Sequence, residues 1–397
     1  MRWQIGICGD EHMGIKLGNI CRFQSGGTPA KGRPEFFNGT IPWITTTALN
    51  GGNIGKESAV DWICEQAIKE SAAKIVPAFS IMVGTRVGVG KVAINTISMS
   101  TSQDIVSLLD IDESIWSKAF LCKFLQAKGA FLNAQARGAT IKGIKIDVLS
   151  ELELPEIPIE EQQHISQIID KVKTTIAMRQ SQLQKLDKLV KARFVEMFGA
   201  HPLNPMGWKK GTIRDVVADV RYGSSRPAVD GGKYPYLRMN NITYGGELDL
   251  SDVKRIDVPE NELGKCTVRR GDVLFNRTNS KELVGKTCVY DRDEMMVLAG
   301  FVIRVRVNDL VLPEFLSAFL NTEFSKRTLL GMCKAAIGQA NINAQEMQSI
   351  GIYIPPIERQ QEFVQFKNQT DKSKAAVQKA LDETQLLFDR LMQDYFG

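Results

Sequence analysis

Apolar residues recur at alternating spacings of four and three between positions 165 and 197: Ile165, Ile169, Val172, Ile176, Leu183, Leu186, Val190 and Met197. Arg179 and Arg193 are the two polar interruptions. That alternation keeps a stripe on one helix face and reads as a coiled-coil seam. Adding 198 to each number gives a second stripe: Phe363, Val377, Leu381, Phe388, Leu391 and Tyr395, interrupted by Lys367, Thr370, Lys374 and Thr384. The second helix is less committed over its first half. There the polar positions Lys367, Thr370 and Lys374 either weaken the pairing or mark a docking face. About 38 residues of helix span roughly 57 Å, and a stripe of that length needs a partner. The expected partner is the other copy, packed antiparallel. Docking of each helix on its own neighbouring domain is the competing arrangement.

The same offset of 198 relates a motif at each helix start. Residues 157–163 read IPIEEQQ and residues 355–361 read PPIERQQ, and Phe198-Gly199 recurs as Phe396-Gly397. Upstream the echoes are weaker: Pro42-Trp43-Ile44 with Pro235-Tyr236-Leu237, Ile81–Gly84 with Val273–Asn276, and Gly90-Lys91 with Gly285-Lys286. The chain is therefore two copies of one plan. A divergent mixed domain (1–155) precedes a helix (156–199), and a second domain (200–354) precedes a second helix (355–397). The fold class is α+β with an internal repeat. Short apolar runs predict strands at Ile41–Ile44, Ser80–Val83, Val92–Asn95, Val273–Asn276 and Val302–Val307. Helices are expected near Trp62–Lys69, Ser117–Ala127 and Pro313–Thr328.

Composition narrows the class. A length of 397 residues suggests two or three domains. The chain is 43% hydrophobic and 24% charged, which suits a folded globular protein. No apolar run is long enough for a membrane span, and Met1–Asp10 does not resemble a signal peptide. Seven scattered cysteines without a Cys-x-x-Cys pair, and only three histidines, argue against a disulfide framework or a metal site. A reducing, cytoplasmic setting is expected. The net charge of +5 permits a nucleic-acid partner without demanding one.

Catalytic motifs are not found. Ser280–Thr287 (SKELVGKT) resembles a phosphate-binding loop, but Ser280 stands where the first glycine belongs. Cys288-Val289-Tyr290 after it reads as a strand, so a hairpin is expected. Asp252-Val253-Lys254 matches only the tail of a nuclease motif. Neither a Gly-x-Ser-x-Gly elbow nor the Pro-Pro-Tyr/Phe signature of an amino-methyltransferase occurs.

What remains is polar and basic loop sequence suited to DNA. Arg and Lys neutralise phosphates or read guanine, and Asn and Gln read adenine. In the first half the candidates are Thr28, Lys31, Arg33, Thr45, Thr46, Thr47, Asn50, Arg86, Lys91, Arg137, Thr140 and Lys142. In the second half they are Tyr222, Ser224, Ser225, Arg226, Arg238, Asn240, Asn241, Arg277, Asn279, Lys281, Lys286, Gln339, Asn341 and Asn343.

The plan resembles the specificity subunit of type I restriction-modification systems. The residues that carry the resemblance are Lys16-Leu17-Gly18-Asn19-Ile20, Gly26-Gly27-Thr28-Pro29, Pro42-Trp43-Ile44, the Leu154–Gln163 run and Met197-Phe198-Gly199, with their second-half counterparts. It implies two target recognition domains separated by two long antiparallel helices with pseudo-twofold symmetry. Each domain would read one half of a bipartite, asymmetric site in double-stranded DNA, and the helix pair would set the spacing. It also implies two modification (methyltransferase) subunits as partners, restriction subunits that join them, and no membrane role. The chain itself would bind no cofactor and catalyse nothing, S-adenosylmethionine residing on the methyltransferase subunit. Residues 1–12 have no counterpart in the second half.

Overall fold

The computed structural model describes residues 14–138, 142–333 and 340–397. Residues 1–12 and two candidate contacts, Thr140 and Gln339, lie outside the described residues. The chain divides into two compact units, Met1–Ala177 with Asp382–Gly397, and Met178–Leu381. The division falls inside both long helices rather than at their starts, so each unit owns one mixed domain and a segment of each helix.

Unit 1 contains strands β1 (Ile15–Lys16), β2 (Arg22–Ser25), β3 (Ile41–Ile44), β4 (Asn53–Ile54), β5 (Asp61–Ile63), β6 (Ile75–Val76), β7 (Ile81–Gly84), β8 (Val92–Asn95), β9 (Met99–Thr101), β10 (Ile105–Leu109) and β11 (Glu153–Leu154). Its short helices are α1 (Glu65–Glu70), α2 (Lys118–Ala127), α3 (Gly129–Gln135) and α4 (Ile146–Ser150). The first long helix, α5 (Ile159–Phe198), leads into unit 2. There lie β12 (Lys209–Thr212), β13 (Val217–Tyr222), β14 (Tyr234–Leu237), β15 (Lys254–Ile256), β16 (Thr267–Val268), β17 (Val273–Asn276), β18 (Thr278–Asn279), β19 (Thr287–Val289), β20 (Met296–Leu298), β21 (Val302–Val307), β22 (Ala340–Asn341) and β23 (Gly351–Ile354). Helices α6 (Glu260–Cys266), α7 (Pro313–Leu320), α8 (Glu323–Met332) and α9 (Ala344–Gln348) precede the second long helix, α10 (Ile357–Phe396).

The two units share one topology. Unit 1 has a sheet in the order β2-β10-β7-β8-β4 and a second in the order β5-β3-β9-β6. Unit 2 repeats them as β13-β21-β17-β19 and β15-β14-β20-β16. In each second sheet one pair is parallel, β3 with β9 and β14 with β20. The central strands β7, β10 and β17 are buried along their whole length, as continuous apolar runs require.

Two expectations shift. Asp61–Ile63 is a strand on the edge of β3, so the helix expected from Trp62 begins only at Glu65. The helix expected over Pro313–Thr328 is broken in two, because the Thr322 hydroxyl accepts from Ser325 N and starts α8 afresh.

Every predicted seam position of α5 and α10 is buried or half-buried. Both arrangements weighed from the sequence occur together. In unit 2 the helices pair antiparallel, Arg179 donating to Ala380 O and Lys374 bonding Asp187 at 2.6 Å. In unit 1 the same register holds, with Lys173 over the Phe388 ring at 5.7 Å. The helices also dock on the domains. Ile165, Ile169 and Phe396 enter the unit 1 core, where Phe120 meets Phe396 at 5.2 Å. Phe194, Met197, Phe198 and Phe363 enter the unit 2 core. The polar stretch of α10 is partly tied within unit 2. Lys367 pairs with Asp371, the buried Thr370 donates to Phe366 O, and Lys374 bridges Asp187 and Glu247.

The repeated Gln explains the motif. Gln162 Nε2 donates to Ile115 O and Ile157 O, and its Oε1 accepts from Ser117 N. Gln360 does the same with Leu310 O, Pro355 O and Leu312 N. Both side chains are buried. Each latches the first turn of a long helix onto the loop before α2 or α7.

Candidate nucleic-acid interface

Backbone hydrogen bonds tie several of the candidate loops together in each unit. In unit 1, Gly26 N donates to Ile105 O, Gly27 N to Thr101 O and Ser102 N to Ile44 O. These bonds bring Thr28 and Thr45–Thr47 beside the β9–β10 turn. Arg137 and Gly143 exchange backbone hydrogen bonds, and Asn133 donates to Val89 O. The Asn133 contact sets α3 against the β7–β8 turn. In unit 2, Gly223 N donates to Val302 O, and β18 pairs with β22 through Thr278 opposite Asn341. Glycine is required where the strand end meets the next loop. A Cβ on Gly26 would lie 2.3 Å from Ser102 O, and one on Gly223 2.1 Å from Leu298 O.

The same backbone frame stands in each unit. Thr85 N donates to Asp104 O at 2.8 Å, and Ile144 N donates to Thr85 O at 2.8 Å. Arg277 N donates to Phe301 O at 3.0 Å, and Ile342 N donates to Arg277 O at 2.9 Å. Ile144 and Ile342 match on this frame, but Thr85 and Asp104 in unit 1 stand where unit 2 has Arg277 and Phe301.

The structure sorts the candidate residues into three groups. Thr46, Ser224, Asn241 and Lys286 are buried and serve the fold, against the expectation of contact. Asn241 Nδ2 donates to Asp249 O and Asp252 O. Lys286 Nζ donates to Met239 O at 2.8 Å, although its counterpart Lys91 is exposed. A second group is committed to partners. Arg33 holds Glu35 and Glu70, Arg226 holds Glu262, Arg238 holds Asp252, and Asn343 caps α9. Asn50 and Asn279 accept from Gly52 N and Ser280 N in turns, and Thr45 and Thr47 bond each other. The third group is open. Lys31, Arg86, Lys91, Arg137, Lys142 and Lys281 are exposed and have no acidic partner among the described residues. Ser225, Asn240 and Asn341 are also exposed, and Thr28 and Arg277 are half-buried. The Arg277 guanidinium lies 5.0 Å from the centroid of the exposed Tyr222 ring.

Sequence reasoning missed Phe301. It is 53% exposed in the β20–β21 turn, and its backbone carbonyl holds Arg277. An exposed aromatic at a Gly-Phe turn was the available signal.

Ser280–Thr287 is not a phosphate cradle. Gly285 N donates to Asn276 O, Asn276 N to Lys286 O, and β19 pairs with β17 as a hairpin. Behind it Lys326 Nζ donates to Gly285 O, and its pKa is pushed down to about 8 by burial and by Lys191 and Lys286. A lysine pKa below its unfolded value means the unfolded chain binds more protons between pH 8 and 10.5, so stability rises with pH there. Below pH 8 the full cost of the buried ammonium remains. The expected result is an increase in unfolding free energy from pH 8 to 10 that flattens in Lys326→Met, followed by urea denaturation.

Among the described residues no cluster of three His, Cys, Asp or Glu side chains forms a metal site. No helix among them is long and apolar enough to cross a membrane. A family model described as the type I restriction modification DNA specificity domain matches residues 10–188 and 205–384.

The chain belongs to this family. It is a DNA-sequence-recognition subunit of a type I restriction-modification system, and such specificity subunits are non-catalytic. As a specificity subunit it works in complex with methyltransferase and restriction subunits and with DNA. It is 22% identical over 345 residues to the EcoKI specificity subunit of Escherichia coli K12, covering 82% of this chain and 74% of that one. The MjaVIII specificity subunit of Methanocaldococcus jannaschii is 23% identical over 371 residues, covering 87% and 83%. Among solved structures, the type I restriction-modification S subunit from M. genitalium aligns with a TM-score of 0.54 at 14% identity, covering 98% of each chain. A chain from a structural study of assembly and conformational transition of the type I R-M system aligns at 0.63 with 18% identity, covering 96% and 95%. These likenesses place the fold, with its two mixed domains and long antiparallel helices, among specificity subunits.

Proposed function

We propose that each unit reads one half of a bipartite, asymmetric site in double-stranded DNA through its loop edge. The observation that carries this reading is the shared strand order and backbone frame clothed in different side chains. A common scaffold with divergent edge residues suits two different half-sites. Helices α5 and α10, whose motif and latch repeat, fix the gap and dock two modification subunits, one at each copy of the repeated surface. The methyl donor S-adenosylmethionine belongs to those subunits, this chain holding no cofactor, and restriction subunits join the assembly in the cytoplasm. The open cations, Arg86, Lys91, Arg137 and Lys142 in unit 1 and Lys281 in unit 2, supply phosphate neutralisation.

The test replaces residues 15–154 with the corresponding domain of another specificity subunit. The hybrid is expressed with the modification subunits, and N6-methyladenine is mapped by single-molecule sequencing. One half-site is expected to change, with the other half and the gap retained. A change in both halves overturns the modular reading.

A further inference from the structure

The function proposed above leaves open which side chain reads a base, and the structure narrows that choice. We propose that Arg277 is a specificity-determining residue of unit 2 that reads a guanine edge in its half-site, with Tyr222 as the residue that positions it. This inference rests on the reading of the chain as a DNA-recognition subunit.

Four arginines stand in or beside the candidate loops of unit 2. Arg221 is held by Asp219, Arg226 by Glu262 and Arg238 by Asp252. Arg277 has no carboxylate partner among the described residues. Its backbone is pinned on both sides, by Phe301 O and Ile342 N. Its guanidinium lies over Tyr222, whose hydroxyl in turn accepts from Ala344 N at 2.9 Å. Its Nε is buried without a partner among the described residues. The side chain is thus held in place by stacking, and its donors have no side-chain hydrogen-bond partner among the described residues. A stacked guanidinium retains a planar fork of donors that matches the O6 and N7 acceptors of guanine, and a lysine cannot reproduce that fork.

The matched position in unit 1 sharpens the assignment. Thr85 sits on the same frame, but it is buried and its hydroxyl donates to Asp104 O. Unit 1 therefore presents no base-reading group from this place. One frame that carries an available fork in unit 2 and a closed hydroxyl in unit 1 gives the two half-sites different requirements.

The experiment uses the full chain assembled with its modification subunits. Arg277→Lys and Arg277→Thr are compared with the unaltered chain by genome-wide N6-methyladenine mapping and by binding to DNA duplexes varied one base pair at a time. Both variants are expected to lose about tenfold or more of the discrimination for a G·C pair at a single position of one half-site. The other half-site and the gap are expected to be unchanged. Arg277→Lys keeps the charge and the stem, so it remains informative if Arg277→Thr folds poorly. Undiminished discrimination in both variants overturns the assignment. So does a uniform loss in Arg277→Thr that Arg277→Lys restores, because that pattern marks a phosphate contact. Absence of any split motif with the unaltered chain would instead overturn the function on which the inference rests.

Discussion

Replacing Gln360 by leucine is expected to destabilise unit 2 by about 3 kcal/mol, although leucine is close to it in volume. The loss is not one of packing. Gln360 is fully buried, and its amide satisfies Leu310 O at 3.0 Å, Pro355 O at 2.8 Å and Leu312 N at 2.8 Å. Each buried group left unpaired costs about 1–3 kcal/mol, and the three terms overlap. Gln162→Leu is expected to act equally on unit 1, through Ile115 O, Ile157 O and Ser117 N. The two latches share no partner, so the double variant should show the sum. Gln360→Glu keeps the acceptor but removes both donors and sets a carboxylate against two carbonyls, and should be worse than leucine at neutral pH. The measurement is the urea midpoint of each unit's unfolding. A cost below about 1 kcal/mol for Gln360→Leu would show that relaxation or water satisfies these groups.

The contrast between what the sequence reveals and what it hides follows from where the partners lie. The helix seam is legible because its period is local, and all its positions proved buried or half-buried. The strands are legible where short apolar runs stand between glycine and proline. The repeated Gln is legible as a motif but not as a latch, because two of the three backbone groups each one bonds lie 45 to 50 residues away. The same blindness affects the site. Lys91 and Lys286 stand in the same Gly-Lys context, yet one is exposed and the other is buried against Met239 O, 47 residues upstream. Arg226 and Arg238 carry no local mark that each is already held by an acid, and nothing near Arg33 apart from Glu35 points to its second partner, Glu70. Polarity in a loop identifies a candidate, and only tertiary pairing separates a free donor from a spent one.

Truncating Phe194 to alanine is expected to cost about 3–5 kcal/mol, the range for a buried aromatic that leaves a cavity. Its ring lies 4.9 Å from Phe198, 5.5 Å from Phe315 and 5.2 Å from Phe363. It therefore joins α5, α7 and α10 in a single cluster at 5% exposure. The residue at the same place in the repeat is Met392, 198 positions on, which is only partly buried against the unit 1 core. Met392→Ala should cost less, because less area leaves the core and a flexible thioether packs less specifically. Urea unfolding of the two variants, side by side, measures the difference. Equal costs would mean that the aromatic cluster adds nothing beyond ordinary burial. A larger cost for Phe194 would locate the firmer anchor of the helix pair in unit 2. That is also where the latch at Gln360 and the Lys374 bridge to Asp187 and Glu247 compensate for the polar start of the α10 seam.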